Sequence, residues 1–383
     1  MGVGPPGGVV PSSSSTVAAL GVLVGVRTDA DPARSLELAI LADLLGFREV
    51  MIGEATGHDA FALAAAMGRG PARVTVGPLP AAVRDPVTIA RGAASVAALT
   101  GRRVDVALSA STSTVVEDWH GRSRGESAAV VAESALVLRG TPNPAGGAGG
   151  VTAGGATGGL LAGHPVDFSG SVLRTRGYSC ALAPSNGSVS ILAFGAELTE
   201  VAVARADRII VPLGTVEHMA RLRGRVQLAA ERAGRAIPRL ALWLPVAIDP
   251  DETVRRDLLR SLAPYLRAPG FAGMFTEAGF GELIRLARSG AHIRSVVAAA
   301  PPDLLGTIGA VGSVAAVRAA LAEYRAVGVD DLLLVPDRPE TLEALAVADE
   351  ADVLASAVAT NPAATNPAAN PGPPSDGDGI IRS

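Results

Sequence analysis

Glu54 and His120 are the side chains whose type and position best suit acid–base chemistry. Glu54 directly follows the apolar run 48–53, and a carboxyl at the end of a buried strand is partly desolvated, which favours its protonated form. His120 lies in the segment 115–121, beside one of the two tryptophans of the chain. Both side chains are candidates for moving a proton, and a salt bridge in the loop is the alternative role for Glu54.

The sequence contains no motif that indicates a metal site or a phosphate-binding P-loop. The five histidines are scattered, there is no His-Glu-x-x-His, and no cluster of carboxylates suits a hard cation. A phosphate-binding P-loop needs Gly-x-x-x-x-Gly-Lys-Ser/Thr, and the chain has no such motif. The sequence therefore predicts no metal site and no P-loop.

Short apolar runs alternate with segments of helical period along most of the chain, and this pattern predicts a βα repeat. Strands are predicted at 20–26, 48–53, 73–79, 103–108, 189–194, 208–213, 240–248 and 330–335. Helices are predicted at 32–45, 59–68, 86–99, 126–139, 197–206, 215–233, 251–266 and 313–327. This order predicts an α/β fold, a (β/α)8 TIM barrel with insertions, and a doubly wound open sheet is the alternative.

Four segments fall outside the repeat. The Gly-rich insertion 140–164 is predicted to be too flexible for a packed layer, and 267–309 is predicted to be a helical and loop insertion. The terminal segments 1–17 and 358–383 are rich in Pro, Gly, Ser and Asn, and are predicted to be disordered. One barrel is thus expected over 18–357.

The composition of the chain limits the classes of partner that it is expected to bind. A formal net charge of −4 and 3% aromatic residues argue against nucleic-acid binding, which needs a basic face and stacking platforms. The apolar run Val17–Val26 is shorter than the roughly 20 residues of a membrane span, so no membrane association is expected. Cys180 is the single cysteine, which excludes an intrachain disulfide and points to a reducing, cytoplasmic location.

Several motifs occur in an order that is typical of one family. They are Glu54 to Phe61, then Arg84-Asp85-Pro86, then the segment from Ser109 to Gly121 with its Val-Val-Glu-x-Trp-His-Gly run. Weaker matches extend the pattern across roughly residues 20 to 345. The chain therefore resembles the luciferase-like monooxygenase superfamily, and within it the branch of coenzyme F420-dependent oxidoreductases.

The resemblance implies a homodimer or larger homo-oligomer in which a flavin-like ring lies over the carboxyl ends of the barrel strands. A cis peptide in a bulge after the third strand would lie behind the ring. Here that position is Gly77-Pro78, so a cis bond would be of the prolyl kind. The residues implied to bind the cofactor and its phosphate are Gly77, Pro78, Ser109, Ala110, Ser111, Gly195, Ala196 and Arg208.

The implied reaction is hydride transfer between the deazaflavin F420 and an unidentified small organic substrate, with Glu54 or His120 moving the coupled proton. The segment 140–164 is a candidate lid. The sequence departs from the family at Ala107-Leu108-Ser109 and at Arg208, where a guanidinium would either bind a phosphate or block the site. An FMN-dependent monooxygenase and a cofactor-free barrel that does no catalysis are the alternatives.

Overall fold

The computed structural model describes residues 19–26, 31–54, 56–140 and 158–360. The strands are β1 (Leu20–Val24), β2 (Glu49–Ile52), β3 (Arg73–Pro80), β4 (Val104–Ser109), β5 (Val166–Ser169), β6 (Arg174–Tyr178), β7 (Val189–Leu192), β8 (Arg208–Pro212), β9 (Arg239–Ile248), β10 (Ala310–Gly312) and β11 (Asp331–Pro336). Eight of them form a closed parallel barrel in the order β1-β2-β3-β4-β7-β8-β9-β11, and the pairing of β11 with β1 completes the ring. The predicted (β/α)8 barrel is confirmed.

Helices cover the outside of the barrel. They are α1 (Pro32–Leu44), α2 (Ala60–Ala66), α3 (Pro86–Thr100), α4 (Ser127–Arg139), α5 (Ala196–Arg205), α6 (Val216–Arg232), α7 (Glu252–Arg267), α8 (Pro269–Glu277), α9 (Gly281–Arg288), α10 (Ile293–Ala298), α11 (Leu304–Ile308), α12 (Val314–Ala326) and α13 (Pro339–Thr360). Each of the eight predicted helices is present. The sequence reasoning missed α13 and the antiparallel hairpin β5–β6.

Short polar side chains fix where the first helices begin. Asp31 accepts a hydrogen bond from the backbone N–H of Ala33, and Pro32 occupies the first turn of α1. Asp59 caps α2 and Asp85 caps α3, each by accepting a backbone N–H three residues on. These caps satisfy N–H groups that have no partner inside a helix, which is why the entry points were readable from the sequence.

The inside of the barrel is packed in layers. A compact cluster of inward-facing residues fills its middle: Leu23, Met51, Ala107, Ile210, Ala241, Trp243 and Leu333. A larger apolar cluster lies between the outer faces of the strands and the surrounding helices. Since side chains alternate between the two faces of a strand, the inward residues of each strand are two positions apart.

A buried network of charged side chains closes the amino end of the barrel. Glu49 is 1% exposed and Arg208 is 4% exposed, and the guanidinium of Arg208 donates to both carboxylate oxygens of Glu49 at 2.7 Å. Arg73 and Asp331 extend the network around the ring of strand starts. Arg208 and Arg73 hold the pKa of the Glu49 carboxyl well below its usual range, although burial alone would raise it.

The backbone of the helical insertion 267–309 is described throughout, whereas the Gly-rich insertion 140–164 is described only in part. The helical insertion is confirmed: α7 to α11 pack around a second apolar cluster that includes Leu213 at the end of β8. Within the Gly-rich insertion, residues 141–157 lie outside the described residues. Its last part contradicts the prediction, because Leu160 and Leu161 are buried in the main core.

The predicted disordered termini largely lie outside the described residues. Residues 1–18 and 361–383 are not described, whereas α13 runs to Thr360 and so enters the predicted tail 358–383. Among the described residues, no helix has both the length and the apolar character needed to cross a bilayer.

Candidate functional site at the carboxyl end of the barrel

The mouth of the barrel is asymmetric. On β1, β2 and β4 the positions two residues beyond the inward-facing Leu23, Met51 and Ala107 are Gly25, Gly53 and Ser109. On β3 the equivalent position, two beyond the inward-facing Thr75, is Gly77. The opposite half is walled by larger side chains, namely Leu192, Trp243 and Val335. The half formed by β1 to β4 is therefore a floor of glycines and one serine, with the His58 ring against Gly25 and the Val26 side chain against Gly53.

The floor contains a bulge at the predicted position. The Gly77–Pro78 peptide is cis, and the pairing of β3 with β4 shifts register between Val76 and Leu79. Gly77 has φ +129°, and a Cβ on it would lie 2.3 Å from the carbonyl oxygen of Ala107. Only glycine fits at this position. The cis bond and the register shift confirm the prediction of a bulge with a cis prolyl bond.

The loop after β4 presents backbone groups to the mouth. Ser109 and Ala110 are buried, and the Ser109 hydroxyl donates to the carbonyl of Leu79 at 3.4 Å. Ser111 has φ +57°, and its carbonyl accepts a hydrogen bond of 3.0 Å from the Nε of Arg124. Arg124 was missed by the sequence reasoning, because nothing in its neighbourhood signals that it folds back onto the β4 loop.

Gly195 and Ala196 form the start of α5, directly beyond β7. Gly195 has φ +93°, and no atom lies within 4 Å of the place where a Cβ would be. The first backbone N–H groups of a helix have no partner inside it and favour an anion. Glu197 in the first turn opposes that preference with its own charge.

Glu54 is held in a salt bridge. Arg84 donates to it through Nε at 3.0 Å and through a second, shorter contact, and the backbone N–H of Ala60 donates at 3.2 Å. Arg84 also binds Asp59, where hydrogen bonds from Arg84 and Ala62 lower the pKa of the carboxyl despite its burial. The salt bridge that was the alternative role for Glu54 is therefore the one found.

His120 follows a π-helical turn, Thr114–Trp119, and is exposed. Its Nδ1 lies 2.7 Å from the carbonyl oxygen of Val115. A carbonyl can only accept, so Nδ1 carries the hydrogen and Nε2 keeps a free lone pair. Short π-helical segments are frequent at functional sites. His120 is consequently able to accept a proton through Nε2.

His58 is a second histidine at the mouth, expected from the sequence only to mark a helix start. Both ring nitrogens are buried and neither has a hydrogen-bond partner in the described part of the chain. The ring packs on Gly25, where a Cβ would lie 2.6 Å from Nε2. No sequence signal identifies this contact, since it depends on how the loop after β2 folds over β1.

The prediction that Arg208 binds the cofactor is wrong. Arg208 is the first residue of β8, so it lies at the amino end of the barrel, opposite the mouth. Its guanidinium donates to Glu49, to the Thr75 hydroxyl at 3.2 Å and to the Ser190 hydroxyl at 3.0 Å. Of the departure Ala107-Leu108-Ser109, the Ala107 side chain lies in the middle layer of the barrel interior, and Ser109 lies two positions nearer to the mouth.

In the described part of the chain, neither a serine-hydrolase nucleophile nor a set of metal ligands has the position that its chemistry needs. The segment Gly121–Gly125 has the Gly-x-Ser-x-Gly spacing of a hydrolase nucleophile, but it lies in an exposed loop and not at a strand-to-helix turn. Its Ser123 hydroxyl accepts the backbone N–H of Gly125 at 3.2 Å. In the described ranges, no group of three or more His, Cys, Asp or Glu residues is placed to hold a metal ion.

The closed parallel barrel and the cis-peptide bulge after its third strand together define a (β/α)8 barrel of the luciferase-like type. The family model described as luciferase-like monooxygenase matches residues 13–331. The chain belongs to this family. A comparison with curated proteins found no match.

Solved structures of similar fold include enzymes of both cofactor types. The F420-dependent tetrahydromethanopterin reductase from Methanopyrus kandleri has a TM-score of 0.66 and 15% identity, covering 87% of this chain and 97% of the other. An F420-dependent secondary alcohol dehydrogenase has a TM-score of 0.61 and 14% identity, with 86% and 97% covered. A type II Baeyer-Villiger monooxygenase from Pseudomonas putida, in complex with FMN, has a TM-score of 0.55 and 14% identity, with 86% and 96% covered. At this identity the likeness establishes the fold.

Proposed function

We propose that this chain is an F420-dependent oxidoreductase that transfers a hydride between the deazaflavin and a small organic substrate at the mouth of the barrel. The observation that carries the proposal is the bulge at Gly77-Pro78 beside Ser109, because it brings backbone, and not a large side chain, to the mouth where a flat ring would lie. Assembly as a homodimer or larger homo-oligomer and a cytoplasmic location belong to the same proposal.

The residues at the mouth fit such a cofactor. Gly77 and Pro78 would lie behind the ring, since the bulge brings backbone, not a side chain, to the floor. Ser109, Ala110 and Ser111 would hold the phosphate. Gly195 and Ala196 would complete the phosphate site with the free N–H groups of α5.

Arg124 supplies the positive charge that the phosphate site needs. Its Nε is engaged by the carbonyl of Ser111, which fixes the guanidinium beside the β4 loop. The two terminal nitrogens of a guanidinium so held still have hydrogens to donate to an anion.

When bound, a deazaflavin accepts or donates a hydride, and the protein supplies orientation and proton transfer. His120 would accept or return the coupled proton at Nε2, because Nδ1 is committed to the Val115 carbonyl. Glu54 would act indirectly. Its salt bridge with Arg84 holds the loop after β2 in place, so it is a positioning residue.

Titration of the purified protein with F420, and separately with FMN, tests the proposal by ligand fluorescence. We expect saturable F420 binding that is tighter than FMN binding. Arg124→Gln should weaken F420 binding about 10- to 100-fold, since a hydrogen bond to a charged group contributes about 1.5–3 kcal/mol. Arg122→Gln is the matched control, because Arg122 is exposed on the same segment.

The results of this titration distinguish the F420-dependent oxidoreductase from its two alternatives. Binding of FMN in preference to F420 would favour a monooxygenase. Binding of neither cofactor at high micromolar concentration would contradict any oxidoreductase function and leave a cofactor-free barrel. Equal effects of the two arginine substitutions would remove Arg124 from the phosphate site.

A further inference from the structure

Two adjoining cavities open at the mouth, and one of them reaches Gly25 at the edge of the glycine floor. One has a volume of about 430 Å³ and lies between α7 and the ends of β8, β9 and β11. The other has a volume of about 380 Å³ and lies between α1, α7 and the ends of β1 and β11. They share Val26, Asp257 and Val335, so they are neighbouring compartments of one pocket.

The first compartment is walled mainly by apolar side chains, which are Val26, Leu213, Trp243, Pro245, Leu262 and Val335. Tyr265 from α7 adds a phenol within hydrogen-bonding reach of the Trp243 indole. Burial raises the pKa of this phenol to about 12, so it stays neutral. The hydroxyl of Ser261 is already used, because it donates to the Leu258 carbonyl at 2.6 Å. This compartment suits an apolar group.

The second compartment holds a buried carboxyl. Asp337 directly follows β11, and its side chain is 4% exposed. One oxygen accepts the Thr341 hydroxyl at 2.6 Å. The other lies 3.4 Å from the Nε of Arg338 but has no aligned hydrogen bond in the described part of the chain. Burial raises the pKa of the Asp337 carboxyl, and the nearby Arg338 only partly opposes this.

Both signs of charge line the second compartment, and each charged group is already engaged. Asp31 caps α1, and Asp257 pairs with Arg260 at 2.9 Å. Arg34 donates to the backbone carbonyl of Asp337, and Arg338 donates to that of Ile248, both at 3.0 Å. A carboxylate ligand would meet these aspartates and an ammonium ligand would meet these arginines. A neutral hydrogen-bonding group is therefore preferred over either ion.

We propose that the two compartments form one pocket for a neutral amphiphile, whose apolar body lies against Trp243 and Tyr265 and whose hydroxyl hydrogen-bonds to the Asp337 carboxyl. To call this ligand the substrate rests on the proposed function. The pocket itself does not, because none of the residues from Gly77 to Ala196 that are assigned to the ring and its phosphate lines it, and Gly25 is the one floor residue that it reaches.

Intrinsic fluorescence tests the pocket directly. The chain has two tryptophans, so the exposed Trp119→Phe variant leaves Trp243 as the only tryptophan, inside the first compartment. In that background, octanol, octanoate and octylamine are titrated as ligands of equal chain length. We expect saturable binding of octanol that is at least about 10-fold tighter than that of either ion.

Substitutions at two positions locate the bound alcohol. Ser261→Phe fills the apolar compartment and should abolish octanol binding, while Asp337→Ala should weaken it about 10-fold and Asp337→Asn should restore most of it. Asp303→Ala is the control, because Asp303 is exposed and lines neither cavity. Circular dichroism checks that each variant folds.

Each result decides the inference. Tighter binding of octanoate or octylamine would overturn the neutral head group, and unchanged octanol binding in Ser261→Phe would overturn the pocket. F420 titration of the same variants separates the two proposals. F420 binding without octanol binding refutes this inference alone, and octanol binding without F420 binding refutes the cofactor alone.

Discussion

Replacing Arg208 by methionine would leave the Glu49 carboxylate buried with one guanidinium, that of Arg73, where it now has two. Arg208 donates four hydrogen bonds, two to Glu49 and one each to Thr75 and Ser190. Removal of one partner of a buried ion pair typically costs about 3–5 kcal/mol, because the remaining charge stays desolvated. We expect a loss of this size in the free energy of unfolding.

The pH dependence of that loss follows from Glu49. In the folded protein its pKa lies below the usual 4.5, so its ionisation stabilises the fold above pH 4.5 and this contribution is lost as the pH falls. Without Arg208, burial is opposed by less positive charge and the pKa of Glu49 rises. The difference in unfolding free energy between wild type and variant should therefore be largest near neutral pH and should shrink below pH 4.5.

Urea unfolding of wild type, Arg208→Met and the exposed control Arg205→Met, at neutral and acidic pH, measures this effect. A double variant with Glu49→Met and Arg208→Met should be less destabilised than the sum of the two single variants, since it leaves no unpaired charge. If Arg208→Met unfolds like the control, Arg208 does not anchor the barrel. Weakened F420 binding at unchanged stability would instead return it to the cofactor site.

Four further substitutions probe the mouth and the hairpin. Gly25→Ala should cost about 1–3 kcal/mol in urea unfolding, because φ is +75° and the new Cβ would meet His58; His58→Ala should relieve part of this, and no relief would contradict the packing. The Glu133 carboxylate accepts hydrogen bonds from backbone N–H groups at 171–173, which lower its pKa. Glu133→Gln should therefore lower the free energy of unfolding above pH 4.5 and remove the part of its pH dependence that comes from this carboxylate. Limited proteolysis of the hairpin should be faster in this variant than in wild type. His120→Ala should lower kcat about 100-fold at unchanged F420 affinity, and equal loss of both would make it a binding residue.

The barrel was predictable because each barrel strand is a short apolar run and several of the following helices begin with a capping side chain. Asp31, Asp59 and Asp85 stand before their helices in the sequence and cap them in the structure. The hairpin β5–β6 was missed, although Val166 and Phe168 alternate with polar residues as in a strand with one buried face. A run of four residues beside a Gly-rich segment is too short to stand out by periodicity alone.

The site was predictable only in part. Gly77-Pro78 was found through the resemblance to the family, which implies a cis peptide in a bulge after the third strand, and both the cis bond and the bulge are there. Arg208 was misplaced because it was compared with a family position, and not with its place at the start of a strand. The rule that parallel strands share one direction would have put it at the amino end, with Glu49 and Asp331. The contacts of His58 and Arg124 depend on loop geometry that the sequence does not encode locally.

The buried polar groups at the two ends of the barrel lie in different settings: a network of ion pairs at the amino end, where Arg73 Nε and Asp105 Oδ2 also lack an aligned hydrogen bond among the described residues, and the loops of the mouth at the carboxyl end. At the amino end, Glu49, Arg208 and Asp331 engage one another, which fixes the relative positions of the strands. At the carboxyl end, the His58 ring has no hydrogen-bond partner in the described part of the chain and one oxygen of Asp337 has no aligned one. Buried polar groups without partners are costly and persist where a ligand completes them. A rigid base allows the mouth to keep such groups ready, so loss of Arg208 should weaken ligand binding only as far as it unfolds the barrel.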